Sequence, residues 1–207
     1  MSIVNNCKVY GLEDSIRRAK FPMSVNVSSL TDELTNGIKK LAQSNTGEGH
    51  DQWLTGVIVQ FDLTCSIKMW TEFQRYHFVD FVSSQSTMHR ISKFELDDQY
   101  IEYVDSRIVN IMKEKVEEYN DLEEGSKTWS LNCLAQSELD EYNKLLKDKY
   151  LEILYSNPCG FKLTAGITTN YRQLKTIYKQ RKNHRLPEWK EFCKWIETLP
   201  QSDLIIN

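Results

Sequence analysis

Two stretches of the chain carry the side chains best suited to hold an anion. In the first, Arg75 and His77 are followed by Ser84, Gln85, Ser86, His89 and Arg90. An arginine is a permanent cation whose planar donor fork matches a phosphate. A histidine can donate to phosphate or pass a proton near neutral pH. The serine hydroxyls and the Gln85 amide suit a base or sugar edge. In the second, Arg172 to Lys194, there are 8 basic and 2 acidic residues. On a helix beginning at Asn170, the residues Arg172, Lys175 and Lys179 share one face while Leu174, Ile177 and Tyr178 turn inward. That face reads either as a phosphate-attracting rim or as an ordinary solvated surface, and the arginines of the first stretch either as ligand contacts or as partners of surface acids.

Other chemistries lose their warrant. There is no GxGxxG, Walker loop, GxSxG or HExxH, which argues against classical dinucleotide binding, P-loop hydrolysis and zinc-protease chemistry. The histidines, His50, His77, His89 and His184, lack metal-ligand spacing, and no metal is expected. Cys7, Cys65, Cys133, Cys159 and Cys193 are odd in number with no CxxC pair, so neither a disulfide framework nor a local zinc site is expected. Most read as small apolar core residues. A formal charge of −3 argues against a general nucleic-acid coat. No apolar run approaches about 18 residues, so no membrane-spanning helix is expected. The first residues have neither a basic start nor a signal-type hydrophobic stretch, and a cytoplasmic protein is the expectation.

The elements that must position these groups follow from periodicity. With 207 residues and 40% apolar content, the chain can build one core. A single domain over 1–207 is expected, with a more variable portion over 1–50. Val9 to Leu12 reads as a short strand meeting a turn, and Ser29 to Leu41 as a helix capped by Ser28 or Ser29. Ser44 to His50 reads as a loop. Leu54 to Leu63 is dense in strand formers, and its near-continuous apolar character predicts an interior strand covered on both faces. Helical spacing over Ser66 to Val82, Asp97 to Tyr119 and Leu131 to Leu154 predicts three more helices, the last stopping near Pro158. Between Glu95 and Glu124 stand 11 acids and 3 bases, read as a solvated face. Gly160 to Thr169 suits a strand plus turn. Asn170 then starts one helix, and Pro187, as an N1 proline, starts another that stops at Thr198–Pro200. Long helices with few strands give an α+β protein.

These two stretches together resemble the flavin-dependent thymidylate synthase (ThyX-like) family. Its signature, RHRxxSxNxxSxR, is matched in part by Arg75 to Ser86 in either of two registers. One aligns Arg75 with the first arginine and puts Tyr76 on the histidine, His77 on the second arginine and Gln85 on the second serine. The other, shifted by one, aligns His77 and Ser86 with the histidine and that serine. Downstream, Asn170-Tyr171-Arg172-Gln173-Leu174 matches the family's N-x-R-x-L, Arg181 corresponds to the arginine after it, and His50 resembles the histidine ahead of its core strand. Leu186 to Phe192 occupies the last helix without its terminal arginine. The similarity extends over about residues 50–198, and the altered signature looks like that of phage-encoded relatives.

The resemblance implies a single domain with a central, mainly antiparallel sheet and long flanking helices, assembled as a homotetramer. It implies FAD as cofactor, NADPH and methylenetetrahydrofolate as co-substrates, and one-carbon transfer to dUMP or a related pyrimidine deoxynucleotide. His50, Arg75, His77, Asn170 and Arg172 are then expected against the flavin. Gln85, His89 and Arg181 are expected against the nucleotide, and Ser84, Ser86 and Arg90 at the reacting centre. The partner is a small-molecule nucleotide, with neither nucleic acid nor membrane. Two other readings stay open: a family fold that binds nucleotide or flavin without catalysis, and a helical protein-interaction module.

Overall fold

The computed structural model describes residues 3–45, 47–128 and 136–206. Along the chain run β1 (Val4–Tyr10), α1 (Leu12–Arg18), α2 (Asn36–Ala42), β2 (Ile58–Ser66), α3 (Ile67–Phe73), β3 (Asp80–Ser84) and α4 (Thr87–Arg90). They continue as α5 (Leu96–Gln99), α6 (Ser106–Thr128), α7 (Gln136–Ser156), β4 (Lys162–Asn170), α8 (Tyr171–Arg181) and α9 (Pro187–Glu197). The residues cluster into two compact units. One comprises Met1–Cys65, Met69–Ser84 and Thr164–Asn207; the other comprises Ser66–Lys68 and Gln85–Leu163.

The first unit is built on a sheet of order β1-β2-β4-β3. β1 and β2 pair antiparallel, as do β3 and β4. Side chains join Gln60 to Thr168 and Thr64 to Thr164, so β2 and β4 also run in opposite directions. Along β2, Val59, Phe61, Leu63 and Cys65 are buried, and Gln60 between them is exposed. β2 is interior, but the expectation that both its faces are covered is corrected. Gln60, Asp62 and Thr64 alternate with the apolar residues, and a period of two sends them to the opposite face. There Asn6 Nδ2 donates to Asp62 at 2.6 Å.

The buried face packs against α8 and α9, bringing Leu174, Ile177, Trp189, Phe192 and Ile196 into one core with Phe61 and Phe73. Both helices start where local chemistry predicts. Asn170 Oδ1 accepts from the Gln173 N–H at 2.9 Å, and Pro187 opens α9. Between β1 and α1, Gly11 adopts φ +71°, and a Cβ there would lie 2.8 Å from the Gly56 carbonyl oxygen, so the turn requires glycine.

In the second unit, α6 and α7 are tied by ion pairs of Lys115 with Glu152 and of Lys149 with Glu118 (2.7 Å), and Tyr119 and Tyr150 pack with ring centroids 5.0 Å apart. Several acids of the Glu95–Glu124 stretch are therefore ion-paired: Asp97 with Lys113, Glu118 with Lys149 and Glu123 with Lys93.

Three helix expectations are corrected. The helix read from Ser29 begins at Asn36, because Thr35 caps it by accepting from the Ile38 N–H (3.4 Å), while Asn26 draws the preceding residues into a separate turn. The helix read over Ser66–Val82 stops at Phe73. Asp80 and Phe81 instead pair with Thr168 and Ile167 of β4, a long-range ladder that periodicity cannot show. The helix read from Asp97 is broken around Tyr100–Asp105. Tyr100 bridges to Phe161, the Ile101 N–H donates to the Gly160 carbonyl at 3.0 Å, and the Asp105 carboxylate accepts from the Arg107 N–H at 2.9 Å where α6 starts. The helix read from Leu131 is described from Gln136 and ends before Pro158; residues 131–135 lie outside the described residues.

Of the cysteines, Cys65 and Cys193 are buried and Cys7 and Cys159 exposed, while Cys133 lies outside the described residues. Burial pushes the Cys193 thiol up to about 11 and raises that of Cys65 further. Under native conditions at pH 8, a thiol reagent followed by peptide mapping should label Cys7 and Cys159 first. Cys65 and Cys193 should react only after denaturant is added. Early labelling of Cys65 would contradict the core packing.

Candidate functional site

The β4–α8 corner concentrates the charged groups. β4 ends at Asn170, where the Thr169 hydroxyl donates to the Phe78 carbonyl at 2.6 Å and the Tyr171 N–H donates to the Val57 carbonyl at 3.0 Å. These bonds fix the first turn of α8. From that turn Arg172 and Lys175, one helical turn apart, both reach Asp51. Arg172 Nε donates to Asp51 Oδ1 at 2.9 Å and Nη1 donates to Gln52 Oε1 at 2.7 Å. Lys175 Nζ donates to Asp51 Oδ2 at 2.8 Å and to the Ala42 and Ser44 carbonyls, each at 2.7 Å. Three donors thus meet three acceptors, which is what permits an ammonium to be only 7% exposed.

Beside this cluster lies a recess of about 210 Å³ lined by Asp51, Thr55, Phe78, Asn170, Arg172 and Gln173, with Thr176. The Arg172 side chain is 31% exposed, and its Nη2 has no acceptor among the described residues. Asp51, Lys175 and Arg172 together carry one net positive charge, and Phe78 presents an exposed ring. The corner is suited to a phosphate or carboxylate oxygen beside a flat apolar group. The shared face of Arg172, Lys175 and Lys179 read from the sequence is corrected: Lys179 is exposed, whereas Lys175 turns inward to its three acceptors.

Arg181 is committed elsewhere. Its Nε donates to the Tyr76 hydroxyl at 2.8 Å, and its Nη1 donates to Glu72 at 3.1 Å. Its guanidinium lies 4.7 Å from the Trp189 ring centroid, and Trp189 Nε1 donates to the same Glu72 oxygen at 2.9 Å. The arginine thereby holds the turn that carries Arg75 and His77 on either side of Tyr76.

Of the other residues read from the sequence, His50 is exposed immediately before Asp51, and Arg75 and His77 are exposed after α3. Ser84 ends β3 and is exposed. Gln85, Ser86, His89 and Arg90 belong to the second unit, where Ser86 precedes the short α4 without a side-chain cap bond. The structure thus brings Asn170 and Arg172 to one recess. Asp51, Gln52 and Phe78 were missed by sequence reasoning. A lone carboxylate after His50 and ahead of an apolar run was the available signal for Asp51, but its partners stand more than a hundred residues downstream.

No family model matches the chain, and no curated protein sequence matches it. Solved structures do match. The flavin-dependent thymidylate synthase ThyX from Helicobacter pylori complexed with FAD and dUMP is similar with a TM-score of 0.64 at 16% identity, covering 100% of this chain and 97% of that one. A second structure of ThyX from the same organism with FAD and dUMP gives a TM-score of 0.64 at 15% identity, covering 98% and 96%. Over its whole length, this α+β chain has the flavin-dependent thymidylate synthase fold.

Proposed function

We propose that the chain is a flavin-dependent thymidylate synthase-like enzyme that holds FAD and acts on dUMP or a related pyrimidine deoxynucleotide. The observation that carries this reading is the whole-length fold match to two ThyX structures holding FAD and dUMP. The residues at the β4–α8 corner fit such a group in part. A recess of about 210 Å³ takes a phosphate or one ring, not a whole dinucleotide, so most of FAD would lie beyond it. When bound, FAD supplies the hydride and redox chemistry, with NADPH and methylenetetrahydrofolate as co-substrates.

The chain's own residues would bind and orient. Arg172 offers its remaining N–H edge to a phosphate oxygen, and Asn170, by capping α8, fixes the turn from which Arg172 projects. Phe78 gives an apolar wall against which a flat ring can lie. His50, Arg75 and His77 supply exposed donors for the same cofactor. Ser84, Ser86 and Arg90 are assigned to the nucleotide, the serines to orient or polarise it, and Gln85 and His89 are assigned to it as well. A homotetramer is the assembly proposed.

The test is direct. Protein mixed with FAD and freed of excess by gel filtration should keep a flavin band near ~450 nm. With dUMP, methylenetetrahydrofolate and NADPH it should form dTMP. Protein that takes up no FAD would overturn the proposal. Flavin and dUMP binding without dTMP would favour the non-catalytic reading. Arg90→Ala should weaken dUMP roughly tenfold, about 1.4 kcal/mol, while Lys147→Ala on the exposed face of α7 leaves it unchanged. Equal effects in calorimetry would count against this placement of the nucleotide.

A further inference from the structure

Arg172 is held unusually firmly for a residue at the edge of a recess. Two of its nitrogens are engaged, Nε by Asp51 and Nη1 by Gln52, and Asp51 is itself 3% exposed. A carboxylate alone beside an anion site would repel the anion. Here Lys175, buried and saturated by Asp51 and two carbonyls, cancels that charge. The result is a guanidinium fixed in orientation, whose positive charge is still available to a ligand.

We infer that Asp51 is the positioning residue of this site: it fixes the Arg172 guanidinium so that the Nη2 edge meets a phosphate of the bound flavin or nucleotide, with Gln52 as its second support and Lys175 as its neutralising partner. This inference rests on the reading of the recess as part of a flavin- and nucleotide-binding site. A flexible arginine must lose rotamer freedom when it binds, and the Asp51 clamp removes that loss in advance. On FAD, Asp51 acts only through Arg172, so its effect on affinity must vanish where Arg172 is absent; its pairing with Lys175 bears on stability.

The experiment titrates FAD into the full chain and five variants, with folding checked by circular dichroism. Arg172→Ala and Asp51→Asn should each weaken FAD by roughly tenfold or more, and Gln52→Ala by about threefold, in line with lost charge-assisted bonds. The Asp51→Asn/Arg172→Ala double variant should bind no more weakly than Arg172→Ala alone. Asp51→Glu, which keeps a carboxylate for both cations, should recover part of the affinity that Asp51→Asn loses. If the losses of Asp51→Asn and Arg172→Ala multiply, Asp51 acts only on the fold and the assignment is overturned. Should Asp51→Asn fail to fold, Gln52→Ala, at an exposed residue, decides: wild-type affinity overturns the clamp, and a loss abolished by Arg172→Ala supports it. Wild-type protein that binds neither FAD nor dUMP removes the site reading and the inference with it. Wild-type binding with multiplying losses removes only the inference.

Discussion

Asp51→Ala is expected to lose about 3–5 kcal/mol of stability, the cost of stranding a buried cation by removing its partner. Lys175 would keep the Ala42 and Ser44 carbonyls but no counter-charge, at a position only 7% exposed. Lys175→Met should cost less. Asp51 would still accept from Arg172, although two carbonyls would lose their donor. The Asp51→Ala/Lys175→Met double variant should regain part of the loss of Asp51→Ala, because the stranded charge goes as well. Urea unfolding followed by tryptophan fluorescence is the measurement, since Trp53, Trp70, Trp189 and Trp195 all lie in the unit that contains the pair. A double variant less stable than the sum of the single losses, or an Asp51→Ala loss below about 1 kcal/mol, would show that the cluster is not a coupled buried pair.

Trp189→Ala is expected to cost about 3–5 kcal/mol, the range for deleting a large core aromatic. The ring is fully buried and stacks on Phe73 with centroids 5.4 Å apart and an interplanar angle of 18°, while Phe192 meets it edge-on at 5.9 Å. Its loss also leaves Glu72 without the indole donor and Arg181 without the ring beneath its guanidinium. Trp189→Phe separates these contributions. It keeps most of the packing and should cost about 1–2 kcal/mol, from the missing hydrogen bond and the weaker cation–π contact. Circular dichroism in urea reads both variants. Equal losses for alanine and phenylalanine would mean that the indole N–H contact, not the packing, dominates. Because Arg181 and Tyr76 share this cluster, either substitution should also loosen the turn that carries Arg75 and His77.

The legible and illegible parts of the fold divide by the range of the interactions. Asn170 as a cap, Pro187 as a first helical residue and Pro158 as a stop are stated within a few positions of chain, and all three operate in the structure. β3 was misread because Ile67, Trp70, Phe73 and Tyr76 carry a helical period up to the very place where the chain turns. The reason that Asp80–Ser84 is extended lies in Thr168 and Ile167. Likewise, Tyr100 belongs to the apolar stripe of a helix by spacing, yet its backbone pairs with Phe161. At the site, Asn170 and Arg172 were visible because a short string fixes both their types and their spacing. Asp51 was not, since the cations that bury it stand more than a hundred residues downstream.

The sequence by itself determined where α8 and α9 begin, that the chain mixes long helices with few strands, and that cationic side chains gather after Asn170. These are consequences of capping, proline geometry and side-chain type, which act over one or two helical turns. Only the tertiary structure decided which of those cations remain open to a ligand. Lys175 is withdrawn into a buried pair and Arg181 into the Glu72–Trp189 cluster, while Arg172 keeps one donor edge beside the recess. The physical reason is that a charge is either neutralised inside or left exposed according to which distant residue folding brings within about 3 Å of it.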